Sequence, residues 1–189
     1  MEILLILLAA LAAVAYFWYA SMIGKRNNAL SALSGIDIQL QKRSELIPNI
    51  LTIAKKFMEH ERALMEDITA LRESAAQPYN AKDPHAVKDH LASAEQLQAK
   101  IGEFMIRVEN YPELKSQDNM LQAQRTYNEV EEQLSAARRF YNSSVTALNN
   151  AVQIFPGNVI AGMAGVRPMP FYEAPATVVE PVNAAEILG

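Results

Sequence analysis

The feature that most constrains this chain is the run from Ile3 to Ile23 (ILLILLAALAAVAYFWYASMI), which carries no formal charge. As a helix rising about 1.5 Å per residue it spans roughly 30 Å, the thickness of a bilayer's hydrocarbon core. A cleavable signal peptide would begin with a basic region and end on a small-x-small site, whereas this run follows Met1-Glu2. The run is therefore expected to stay as a transmembrane anchor. Tyr16, Trp18 and Tyr19 sit near one end, where amphipathic rings favour the headgroup level, and Lys25 and Arg26 follow where bases meet anionic lipid. One acid before the run and two bases after it put the N-terminus outside and the body in the cytoplasm by the positive-inside bias.

Beyond the anchor the balance turns acidic: the whole chain has a formal charge of −4 and a pI near 5.4. That excludes a generic phosphate-binding surface, so no nucleic-acid partner is expected. An acidic body is repelled by an anionic leaflet and is expected to stand off it. With Cys 0 there is no disulfide scaffold and no thiolate metal or redox site.

The body reads as long helices. Ala29, Leu33, Ile36, Leu40, Arg43, Ile47, Ile50, Ala54, Phe57, Glu61, Leu64, Ile68 and Leu71 alternate four and three apart, a coiled-coil-type seam predicting one helix that ends near Gln77-Pro78-Tyr79-Asn80. Asp83-Pro84 supplies an N-cap and a first-turn proline for a second helix. Its seam is Val87, Leu91, Ala94, Gln98, Ile101, Met105 and Val108, and it stops before Pro112. Ser116 can cap a third, with seam Met120, Ala123, Tyr127, Val130, Leu134, Ala137, Tyr141, Ser144, Leu148, Ala151 and Phe155. Three such stripes bury against one another in an elongated antiparallel bundle, so the fold class is all-α. The expected organisation is an anchor and basic flank over 1–26, a bundle over 27–156 and an extended, proline-containing apolar tail over 157–189. Within that tail Ile160, Met163, Val166, Phe171 and Tyr172 are expected to pack on the bundle in preference to a neighbouring copy.

Several segments on these seams resemble successive motifs of the LemA family: Asp37 to Asn49 (DIQLQKRSELIPN), His60-Glu61, Glu109 to Lys115 (ENYPELK), Ala136 to Asn142 (AARRFYN) and Phe155 to Asn158 (FPGN). Their order and spacing after an N-terminal anchor carry the resemblance over about residues 1 to 173. It implies a bacterial plasma (inner) membrane protein with one N-terminal helix and a helical domain, without an established catalytic activity, and with membrane organisation or remodelling as a plausible theme. Two stretches depart from the family pattern: Ala32-Leu33-Ser34-Gly35, where a second aromatic is common, and Met163-Ala164-Gly165-Val166, where the family is richer in Phe.

Two charges stand on the first seam, Arg43 and Glu61, and a charge there is costly unless paired. About 27 Å apart along one helix, they cannot pair with each other. Arg43 is expected to meet Glu129, Glu131 or Glu132, and Glu61 to meet Arg138, Arg139 or Lys100, fixing helix register. Pro48 removes the backbone bond to the Ser44 carbonyl and is expected to kink the first helix. His60 lacks a second histidine at metal-binding spacing, His85 and His90 are five apart, and there is neither a Gly-x-Ser-x-Gly nor a phosphate-binding loop. No metal, cofactor or catalytic residue is expected. The expected function is a membrane scaffold that self-associates through its helical domain, with membrane lipid and further copies of itself as partners. The alternative is an adaptor regulating another membrane protein such as a protease or transporter; a hydrolase is the weakest reading.

Overall fold

A computed structural model describes residues 1–173, all of whose regular elements are helical. Helix α1 runs over Glu2–Ala54, 53 residues and about 80 Å at the usual rise. Residues 2–21 of it are exposed throughout, and the rest of the fold begins to cover it at Met22. This bare apolar half is long and apolar enough to cross a membrane, and the end of the body next to it is called the membrane end below.

The chain does not continue as one helix to Leu71. It leaves α1 after Ala54, passes through Met58 with a non-helical backbone (φ −119°, ψ 52°) and a single 3₁₀ turn over Glu59–Glu61, and enters α2 over Arg62–Ala75. Helix α2 folds back along α1, bringing Arg72 Nε within 2.9 Å of the Ser44 carbonyl oxygen. The seam periodicity runs unbroken through this reversal because both arms of the hairpin need an apolar stripe, and Met58, fully buried, plugs the bend. The reversal lies at 55–61; at Pro48 α1 remains helical.

Helix α3 (Pro84–Val108) starts on Asp83, whose carboxylate accepts the His85 amide, as its sequence predicts. A short α4 (Pro112–Lys115) turns the chain into α5 (Asp118–Gln153). Ser116 does not cap α5; its hydroxyl donates to the Glu113 carbonyl behind it. Instead of three helices, the body is thus four long segments running away from, towards, away from and towards the membrane end. The last of them delivers residue 157 back to Met22: a Cβ built on Gly157 would lie 3.6 Å from the Met22 Cε.

The inner faces follow the expected seams with small slips. In α3 Leu97 and Phe104 are buried where Gln98 and Met105 were expected, and in α5 Val145 and Val152 replace Ser144 and Ala151. The α5 slip is forward, the direction in which a helix of 3.6 residues per turn, drifting about 20° per heptad from a strict seven-residue repeat, carries its stripe along so long an element. In α3 Ile101 and Val108 keep their expected places, and the stripe takes its three-residue step before its four-residue one from Ala94 and from Ile101. Two apolar clusters result. One at the membrane end gathers Met22, Leu33, Ile36, Leu91, Tyr141, Leu148 and Tyr172, and one at the far end gathers Ile47, Met58, Ile68, Phe104, Leu114 and Met120.

Residues 157–164, expected as extended chain, form helix α6 (Gly157–Ala164), closed by Gly165 in the left-handed conformation (φ +63°). Without a single charge or hydrophobic repeat of any length, this segment offers periodicity nothing to detect. Gly157 is required where α6 begins, because a side chain there would collide with the Ala151 carbonyl oxygen. Residues 165–173 then climb back along α5 as a non-helical strap, with Val166, Met169 and Tyr172 buried on the chain's own bundle. The remainder of the expected tail, 174–189, lies outside the described residues.

Candidate functional site

The middle of the bundle is crossed by a polar chain of side chains. Arg43 is 1% exposed on α1; its Nη1 donates to Glu131 Oε1 of α5 at 3.2 Å and its Nη2 to the Ala94 carbonyl of α3 at 2.9 Å. Glu131 also accepts from Gln98 Nε2 (3.3 Å), whose amide oxygen accepts from Arg138 Nη2 (2.5 Å). Arg138 reaches onward to the Tyr172 hydroxyl (3.0 Å) and lies 4.3 Å above the centre of that ring. Three helices and the strap are thereby tied at one level. Burial pushes the Tyr127 phenol beside Glu131 above its ordinary range, with the Glu131 charge adding to it. The Glu95 carboxyl is raised for the same first reason, against the pull of Arg138. What this arrangement can do is fix register: a shift of one residue in any member would strand a buried guanidinium.

Glu61 meets none of the three bases expected for it. Its partner is Arg107 of α3 at 2.6 Å, which also holds Glu103 at 3.0 Å, while Lys100 pairs with Glu103 and Asp67. The reason is topological: with the chain reversed at 55–61, Glu61 stands at the far end beside the last turns of α3, not midway along α5. Arg139 points away from the bundle and bonds Ser135 of its own helix.

Asn142 and Asn149 hold the strap, and sequence reasoning missed both roles. The Asn142 side chain donates to the Tyr172 carbonyl (2.9 Å) and accepts its amide (2.8 Å); Asn149 does the same with Met169, both at 2.9 Å. Seven helical residues advance about 10.5 Å and three extended ones about 10 Å, so the two repeats coincide. The Tyr141 hydroxyl donates to Pro170 between them. The available signal was a pair of asparagines one heptad apart beside the apolar seam.

A cleft of about 550 Å³ opens between α1, α2 and α3, lined among others by Asp37, Arg43, Arg72, Tyr79 and His90. Both Asp37 oxygens are used, Oδ2 by the Tyr79 hydroxyl (2.9 Å) and Oδ1 by His90 Nε2 (3.0 Å), and the Tyr79 and His90 rings stack 4.0 Å apart. Burial, reinforced by Asp37, pushes the Tyr79 phenol far above its usual range, so it stays a neutral donor. The trio clamps the α2–α3 connection onto α1. Among the described residues no cluster of His, Asp and Glu is placed to hold a metal ion.

At the membrane end Tyr16, Trp18 and Tyr19 lie exposed on the bare part of α1, Lys25 bonds Ser21 one turn back, and Arg26 is half-buried in a second cleft with Lys82, Asp83 and Arg167. Ala94 of α3 faces inward and Ala147 of α5 outward.

Compared with known proteins, the chain matches the model of the LemA family over residues 32–184. No curated protein matches it. The family is not known as an enzyme family.

Proposed function

The chain belongs to the LemA family, and from that premise we propose that it is a single-pass structural protein of the bacterial plasma membrane, non-catalytic, whose helical body associates with further copies of itself as a scaffold. Its N-terminus faces outward and its body the cytoplasm. One observation carries the self-association. From Phe140 to Val166 the chain has no formal charge, and along α5 the outward positions Ala136, Phe140, Ser143, Ala147 and Asn150 recur four and three apart, all exposed, Phe140 by 64%. This is a second seam, on the outside of the bundle. Copies anchored in one membrane are related by an axis along its normal, so the α5 helices of neighbours run parallel, and across a two-fold axis like positions meet. Arg43 and Glu61 find their partners within one chain, so the inward charges hold the body together and leave association to the outer face.

The test is the mass of the full-length protein in mild detergent, by light scattering on a sizing column, against Phe140→Glu and Ala147→Arg. A uniform oligomer that falls to monomer in both variants, at unchanged helical melting, supports the reading. A wild-type monomer overturns it in favour of an adaptor.

A further inference from the structure

The fold returns α6 to the level at which the apolar half of α1 ends, and apart from Asn158 what α6 and the turn before it expose there is uncharged and largely apolar. Ile154, Phe155, Val159 and Met163 are 60%, 76%, 55% and 87% exposed, and between Phe140 and Arg167 no charge interrupts the surface. An uncharged turn of this kind is expensive in water and cheap at the headgroup boundary. Its height follows from contact, because Gly157 sits on Met22, about one helical turn above Tyr19. Tyr19 belongs to the aromatic belt of the span. Around it positive charge predominates: Arg26, Lys82 and Arg167 line the neighbouring cleft against one acid, Asp83, and the Arg26 Nε has no partner among the described residues. The acidity of the body as a whole therefore does not describe this end.

We propose that α6, with Ile154 and Phe155 before it, is a second membrane contact: an interfacial helix whose apolar face enters the headgroup region of an anionic bilayer, ringed by Lys25, Arg26, Lys82 and Arg167. The occupant of the patch is lipid. With two attachments the body is held at a fixed tilt and cannot swing on a single helix. The proposal rests on α1 crossing the bilayer and not on self-association.

Because the chain has no cysteine, single sites can be labelled in the full-length protein. Met163→Cys, Phe155→Cys, Leu11→Cys and, at the far end, Glu59→Cys would each carry an environment-sensitive fluorophore in vesicles of phosphatidylethanolamine with phosphatidylglycerol, at lipid excess high enough for one copy per vesicle. The expected result is blue-shifted emission from positions 155 and 163, quenched by headgroup-level nitroxide lipid and sheltered from aqueous iodide, with position 59 the reverse and position 11 quenched by deep nitroxide. Lys82→Glu with Arg167→Glu should return the 163 label towards water. Position 11 in lipid with 155 and 163 as open to iodide as 59 would overturn the proposal while leaving the anchor standing. Position 11 in water would overturn both. Shelter at 163 that appears only at high protein density would assign the patch to a second copy and also overturn it.

Discussion

Arg72 donates from its Nε to the Ser44 carbonyl, 2.9 Å away across the α1–α2 hairpin, and that carbonyl is the one Pro48 leaves without its helical donor. A proline inside a helix removes the bond to the residue four before it. Here the orphaned acceptor is satisfied by a guanidinium from the returning arm, and α1 continues helical through Pro48. The two features should be coupled. In the wild type Arg72→Met is expected to cost about 1.5 kcal/mol. In a Pro48→Ala background, where the substituted alanine supplies its own amide, the cost should fall by about 1 kcal/mol. Equal costs in a denaturation cycle would mean that Arg72 and Pro48 are not coupled and that Arg72 does not stand in for the missing amide.

Arg43 is the most deeply buried charge, and removing one member of such a pair leaves the other desolvated. Arg43→Met should lower stability by about 3 kcal/mol. Adding Glu131→Leu should restore part of that loss. Chemical denaturation of the wild type and both variants checks this, and a double variant no more stable than the single one would refute the pairing.

The strap depends on two amides. Asn142→Ala or Asn149→Ala removes both side-chain bonds to one strap residue, at about 1 to 2 kcal/mol each. Hydrogen exchange at the amides of Met169 and Tyr172 should accelerate while the α1 core stays protected. Protection unchanged at both amides would assign the strap's hold to the burial of Val166, Met169 and Tyr172 alone.

Glu95 gives a pH dependence of known sign. Its carboxyl is raised by burial, so the folded state binds the proton more tightly than the unfolded one, and the group stabilises at pH below the ordinary carboxylate range and loses that contribution as pH rises through its raised value. Glu95→Gln should therefore raise the melting temperature at neutral pH and change it little near pH 4, where the native carboxyl is protonated already. A loss at neutral pH would show that the attraction of Arg138 outweighs burial.

Much of this architecture can be read from residue spacing. The bare apolar half of α1, the inward stripes to within one residue, the Asp83 cap and the need of Arg43 for an acid among Glu129, Glu131 and Glu132 all follow from period and polarity; packing selects Glu131. What spacing hides is direction. Lys55 to Glu61 contains neither glycine nor proline, so nothing marks the reversal there, and the seam runs on through it. One missed reversal inverts the direction of the two long helices that follow. It assigns Glu61 to Arg138, Arg139 or Lys100 instead of Arg107, and it sends Phe155 to the far end instead of the membrane end. Helix α6 was illegible for another reason: eight uncharged residues between Pro156 and Gly165 carry punctuation without period. The clamp of Asp37, Tyr79 and His90 joins three segments across a turn, a juxtaposition set by packing and invisible to a search for metal-ligand spacing.

Self-association through the outer face of α5 can be tested directly, because the chain has no cysteine of its own. Ala147→Cys in the full-length protein, oxidised in native membranes, places a thiol at the middle of that face; Lys88→Cys places one on an exposed position of α3. The account predicts rapid disulfide-linked dimers from position 147 and not from position 88. Dimers from neither position, or from both at equal rates, would contradict it.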